Sequence, residues 1–265
     1  MAKFALYLNQ REFMAHSKNK PKLSKRQALR EERKRREQRK RLFTILAIIG
    51  AAIIIIGLVL IPTIQTSRAP VGEFVQITPA VIPLAEGTAI GNPDSPIKVE
   101  VFEDFKCKAC KSYSEVFEPQ VIENHASKGE IYYVIYNYPF LDDQNPVKDS
   151  DRAAYASECA AEQNRFWDYH KLIYANLNFV PNEFSEKRLT AFAESLGLDM
   201  EAFSSCIDST DVKTIINNNL ARGSQMGVTG TPSVFVNGTD IKPGMVPTYE
   251  DIQAAIEQAK SNTSG

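Results

Sequence analysis

Polar and charged side chains dominate residues 1–41, and then every charge stops. Residues 42–61 read Leu-Phe-Thr-Ile-Leu-Ala-Ile-Ile-Gly-Ala-Ala-Ile-Ile-Ile-Ile-Gly-Leu-Val-Leu-Ile without one ionisable group. At about 1.5 Å of rise per residue such a helix covers roughly 30 Å, the hydrocarbon thickness of a bilayer. A cleaved signal core runs to only about 7–15 residues behind a short basic leader, so the pattern predicts a retained single transmembrane anchor. From 62 to 88 no period survives among Pro62, Pro70, Pro79, Pro83 and Gly72 and Gly87, and this stretch reads as a linker.

A folded domain is expected over residues 89–265. Ile97-Lys-Val-Glu-Val-Phe102 alternates as a strand does, Ile131-Tyr-Tyr-Val-Ile-Tyr136 is a second β-rich run, and helical spacing from Cys107 to about His125 lies between them. That is a β-α-β opening. From about 146 to 225 strand signals vanish and amphipathic helical stretches follow one another at 152–163, 166–175, 186–196 and 211–225. Ser233-Val-Phe-Val236 restores a strand, Asn237-Gly238 marks a hairpin turn, and 248–260 reads as a capped terminal helix. The fold class is α/β with a helical insertion, preceded by the anchor.

Charge sharpens this organisation. The chain holds 31 Lys and Arg against 32 Asp and Glu, but residues 1–41 carry 15 basic and 4 acidic side chains, leaving 16 against 28 beyond them. The basic flank predicts a cytoplasmic N-terminus and an extracytoplasmic domain in a single-pass cell-membrane protein. Anionic lipid headgroups suit the basic segment 1–41, whereas nucleic acid is not expected, because no aromatic residues interleave its cations from 26 to 41. With 43% hydrophobic residues the chain can support a core.

Candidate chemistry centres on Cys107-Lys-Ala-Cys110, placed where the first strand ends and a helix begins. Residues three apart share a helix face, and the free N–H groups of the first turn, the helix dipole and Lys106, Lys108 and Lys111 would all favour a thiolate at Cys107. The competing reading is half of a zinc site. Zinc needs four ligands, and Cys159, Cys206, His16, His125 and His170 supply no second close pair. Val228-Thr-Gly-Thr231-Pro232 precedes the returning strand; its proline is either an edge marker or, beside a C-x-x-C turn, a cis-proline that sets the Thr231 backbone next to the sulfurs. There an extended peptide could pair with it.

Together the segment from Val99 to Cys110, Arg165-Phe-Trp-Asp-Tyr-His170 and Gly230-Thr231-Pro232 through Gly238 resemble the DsbA-like thiol:disulfide oxidoreductases of the thioredoxin superfamily, over roughly residues 85–262. The resemblance implies a thioredoxin fold with a helical insertion, Cys107 as nucleophile, Cys110 as resolving cysteine, Pro232 as cis-proline, and Phe166 and Trp167 as packing residues. It requires no cofactor or metal. Many relatives have proline where Lys108 stands; a lysine there favours the thiolate and an oxidising pair. Some relatives also bridge the positions matching Cys159 and Cys206, although two buried free thiols are the alternative. Glu103 and Asp104, just before the turn, either shuttle the proton of Cys110 or are simply solvated.

The function expected is disulfide donation to extracytoplasmic cysteine-containing proteins. A substrate thiolate attacks Cys107, a mixed disulfide forms, and a second thiolate releases the reduced pair. The resemblance implies a membrane redox partner, quinone-coupled or equivalent, that reoxidises the pair. Two alternatives stand beside it: a reductase or isomerase on the same scaffold, and a non-redox peptide-binding or chaperone module.

Overall fold

The structure, a computed structural model, describes residues 25–68, 71–142, 147–180 and 182–263; the tail at 1–24 lies outside the described residues. The chain divides into two units, residues 1–69 and 70–265.

In the first unit a single helix, α1 (Lys25–Arg68), joins the basic segment to the apolar run. The large apolar side chains between Leu42 and Ile56 are exposed along it. Among the described residues no helix is long and apolar enough to cross a membrane. The anchor expected at 42–61 runs into positions from 57 onward whose side chains lie outside the described residues.

The second unit is built on a six-stranded sheet with strand order β1-β2-β4-β3-β5-β6. Its strands are β1 (Ala85–Glu86), β2 (Ala89–Gly91), β3 (Lys98–Glu103), β4 (Tyr132–Asn137), β5 (Ser233–Val236) and β6 (Thr239–Asp240). β3 and β4 run parallel, with Val101 opposite Ile135, and β5 joins β3 antiparallel, with Val234 opposite Val101. Parallel neighbours need a crossover, and helices α2 (Lys108–Val116) and α3 (Glu118–Asn124) provide it. The helical spacing from Cys107 to His125 is thus two helices. Phe117 interrupts them just before Pro119, whose missing N–H suits the first turn of a new helix and not the interior of an old one.

The helical block comprises α4 (Asp149–Ala161), α5 (Phe166–Ala175), α6 (Glu186–Ser195), α7 (Met200–Asp208) and α8 (Thr210–Gln225); α9 (Tyr249–Thr263) closes the chain. Ser185, Asp199 and Ser209 cap α6, α7 and α8 by accepting backbone N–H bonds. α7 carries Cys206. Asn237 and Gly238 both take positive φ, 47° and 79°, as a two-residue hairpin turn requires.

Two features depart from the sequence pattern. The stretch expected as a linker is packed onto the domain from residue 71 onward and enters the sheet as β1, paired with β2 at the start of the expected domain. Its scattered apolar residues explain this: Phe74 meets Phe192 edge-on at 4.9 Å, Ile77 joins the helical core, and Asn176 holds the Val75 backbone at both N–H and C=O. Three or four anchoring points need no period. The second departure is Glu100, which alternation puts on a polar face but which is buried, because α8 lies over that face and Arg222 binds the carboxylate.

Candidate active site

The reactive turn sits at the C-terminal end of β3, in the middle of the sheet. Cys107 is the N-cap of α2, with extended backbone (φ −82°, ψ 121°), so its sulfur stands at the helix start and Cys110 follows one turn later inside the core. Cys107 is half-buried and Cys110 wholly buried. The Thr231–Pro232 peptide is cis, and the Cys107 thiol donates to the Thr231 carbonyl at 3.1 Å. Four residues from two distant parts of the chain therefore meet at one point.

The two sulfurs are electrostatically unequal. The hydrogen bond from the Cys110 thiol is the main influence holding Cys107 down at about 6, helped by the Thr231 side chain and by the N–H groups of Ala109 and Cys110 and opposed by burial. Burial first, and then the neighbouring Cys107 and Glu103, push Cys110 well above the ordinary thiol range. One thiol is a nucleophile at neutral pH; the other stays protonated until something takes its proton.

The lysines play different parts. Lys106 turns away from the sulfur: its ammonium binds Glu183 Oε2 at 3.1 Å and the Val180 carbonyl at 3.0 Å, with Asp149 at 3.8 Å. Lys111 donates to the Leu177 carbonyl at 3.1 Å, so both lysines tie the segment around 177–183 to the reactive turn. Lys108 is exposed. Thiolate stabilisation accordingly rests on the helix start and Cys110 more than on the cations the sequence put forward.

Glu103 and Asp104 are not solvated; both are about 1% exposed. Asp104 Oδ1 accepts from the Lys106 N–H at 2.8 Å and Ser150 Oγ at 2.7 Å, and Oδ2 from the Leu141 N–H at 3.0 Å. Burial raises this carboxyl to about 6 in spite of those bonds. Asp104 thus braces the turn, while Glu103 points the other way to His170, whose Nε2 lies 2.6 Å from its Oε1.

Sequence reasoning missed the surroundings of that pair. His170 on α5 and Glu118 on α3 are buried, and the Tyr133 hydroxyl donates to Glu118 Oε1 at 2.8 Å. A histidine among the apolar positions of a helix carries no signal of its partner in sequence. Asp142 and Asp149, which hold the N–H groups of Ser150, Glu183 and Phe184, were equally hidden. Phe166 packs in the sheet core and Trp167 at its margin. Cys159 and Cys206 form a disulfide between α4 and α7, their Cα atoms 5.7 Å apart. Among the described residues no group of three or more His, Cys, Asp or Glu side chains is placed to hold a metal ion.

Comparison with known proteins follows this geometry. A family model described as thioredoxin matches residues 84–258. A probable disulfide bond formation protein D from Bacillus cereus is 31% identical over 175 residues, which cover 64% of this chain and 77% of that protein. The disulfide bond formation protein D of Bacillus subtilis is 25% identical over 173 residues, 64% of this chain and 75% of its own. Among solved structures, oxidised BdbD from Bacillus subtilis superposes with a TM-score of 0.58 at 23% identity, covering 69% of this chain and 100% of that one. DsbA from Chlamydia trachomatis gives 0.56 at 22% identity, over 72% and 98%. At those identities the structures speak for the fold.

Proposed function

This chain belongs to the thioredoxin family and is a DsbA-like thiol:disulfide oxidoreductase, and on that footing we propose that it donates disulfides to extracytoplasmic proteins from a membrane tether. The observation that carries the direction of transfer is the inequality of the two sulfurs. A thiolate held at about 6 stabilises the reduced pair, so the oxidised pair surrenders its bond readily. The names of the Bacillus relatives support the same direction.

In the oxidised enzyme a substrate thiolate attacks Cys107 Sγ, and the electron pair of the broken bond passes to Cys110 Sγ, which takes up a proton. A second substrate thiolate then attacks the substrate's own sulfur in the mixed disulfide and releases the Cys107 thiolate. Thr231 presents its backbone beside Cys107, where an extended substrate can pair with it. Reoxidation falls to a membrane redox partner, quinone-coupled or equivalent. The tether is supported by the uncharged run 42–61, by its exposed apolar side chains up to Ile56, and by the basic flank at 1–41, which suits anionic lipid.

The test uses the oxidised full chain with a reduced, unfolded protein containing several cysteines. Disulfide donation predicts stoichiometric loss of substrate thiols, no reaction with Cys107→Ser, and a trapped mixed disulfide with Cys110→Ser. Net reduction of an oxidised substrate in its place would reverse the reading, and activity surviving both substitutions would turn it toward a binding module.

A further inference from the structure

Between α5 and α6 the chain builds a short element whose polarity is reversed. Glu183 is only 5% exposed, and its carboxylate gathers the N–H of Asn178 through Oε1 and that of Phe179 through Oε2, the latter at 3.0 Å. The N–H groups of Glu183 and Phe184 bond in turn to buried Asp149 at 3.1 and 3.2 Å. Around this charged interior two neighbouring apolar side chains stand in the open: Phe179 is 45% exposed and Val180 52%.

Phe179 is also left-handed, with φ at 63°. A bulky L side chain in that region is an outlier, held only where the surroundings enforce it, and such outliers gather at binding and catalytic sites. Folding alone favours neither choice, because Gly or Asn suits the backbone better and a polar residue suits the exposure better. The element is fastened to the reactive turn on both sides of Cys107. Lys106 Nζ donates to the Val180 carbonyl at 3.0 Å and to Glu183 Oε2 at 3.1 Å, and Lys111 Nζ donates to the Leu177 carbonyl at 3.1 Å.

We propose that Phe179 and Val180 form an apolar ledge that selects clients, taking an aromatic or aliphatic side chain close to the reacting cysteine in the client's sequence. The reaction itself supplies the occupant: a client bonded to Cys107 Sγ must pass the residues that flank that sulfur, and Lys106 and Lys111 hold the ledge beside them. An extended client advances about 3.3–3.6 Å per residue, so a side chain about two to four residues from the bonded cysteine spans the Lys106 side chain and reaches the ledge. Incompletely folded proteins expose such side chains. Pairing with the Thr231 backbone is indifferent to the client's sequence, whereas a side-chain contact reads it. This inference rests on the redox reading of Cys107 and Cys110 and adds a sequence preference to it.

The test uses the oxidised full chain and reduced peptides that hold one cysteine in a Gly-Ser background, with either Phe or Ser at a chosen distance from it. The initial rate of mixed-disulfide formation is read by mass spectrometry after acid quenching. Phe about two to four residues from the cysteine should raise that rate about three- to tenfold over Ser, the gain from partly burying one aromatic side chain. Phe179→Asn, whose new side chain tolerates the left-handed backbone, should erase the difference between the two peptides, and Val180→Ser should reduce it. Phe179→Tyr keeps the ring and should retain it. The Cys107 thiolate inflection should stay near 6 in Phe179→Asn, which separates loss of the ledge from damage to the turn.

A Phe preference that survives both Phe179→Asn and Val180→Ser would overturn the ledge, and so would a parent chain with no preference at any position. Self-association of the parent that Phe179→Asn abolishes, with no peptide preference, would assign this face to a second copy of the chain and overturn the proposal. A parent chain whose Cys107–Cys110 pair reacts neither with peptides nor with dithiothreitol would overturn the redox reading itself.

Discussion

Asp104 Oδ1 accepts a 2.7 Å hydrogen bond from Ser150 Oγ, joining the strand end that carries the reactive turn to the first turn of α4. The carboxyl is buried and raised to about 6, above its ordinary 3.8. A raised carboxyl binds more protons folded than unfolded between those values, so its contribution to stability is complete below about pH 4 and is lost as pH rises through 6. Denaturant unfolding at a series of pH values should show that fall, and Asp104→Asn should flatten it. Ser150→Ala should cost about 1–3 kcal/mol by leaving the carboxylate short of a donor.

Lys106 spends its charge on Glu183 and Asp149, both buried, and not on the sulfur. Lys106→Met should therefore leave the Cys107 thiolate inflection near 6 while lowering stability by about 3–5 kcal/mol, the usual cost of removing one partner from a buried ion pair. Ultraviolet titration of the thiolate and denaturant unfolding of the same variant separate the two effects. An inflection displaced toward 9 would show that the ammonium acts on the sulfur after all.

The Cys159–Cys206 bond closes a loop of 47 positions between α4 and α7. Chain entropy assigns such a crosslink about 4 kcal/mol. Replacing both cysteines with alanine should lower unfolding free energy by about that amount and leave the Cys107 titration unchanged, because the bridge belongs to the helical block and not to the reactive turn.

Gly223 on α8 packs where a Cβ atom would stand 2.4 Å from the Tyr138 ring and 3.2 Å from that of Phe102. Phe102 on β3 packs against Phe235, and Tyr138, just past β4, packs against Phe102 and Phe140. Gly223→Ala should destabilise the domain by about 1–3 kcal/mol through overpacking, in spite of alanine's better helix propensity. Thermal unfolding of the single variant is a sufficient check.

How far the sequence disclosed this molecule depended on the range of each interaction. Helices with one apolar face, such as Phe166–Ala175, and strands such as Ser233–Val236 follow local periodicity and agree with it closely. Cys107, Cys110, Thr231 and Pro232 could be named because their residue types carry the chemistry, and the structure brings them together. The packed segment at 71–84 was hidden because Phe74, Ile77 and Ile82 act singly, across distances in sequence that no window spans. The Glu103–His170–Glu118 chain was hidden for the same reason: it joins β3, α5 and α3, and nothing local distinguishes a buried carboxylate from a solvated one. The charges assigned to the lysines failed at Lys106, whose partner lies 77 positions away.

The measurement that bears most directly on disulfide donation is the equilibrium reduction potential of the Cys107–Cys110 pair in the full chain, titrated against glutathione with the Cys159–Cys206 bridge followed separately. A low Cys107 thiolate and a protonated, buried Cys110 both stabilise the reduced pair, so the account predicts a value near about −120 mV, the strongly oxidising end of the known range. A value near about −270 mV would contradict it and make this chain a reductant.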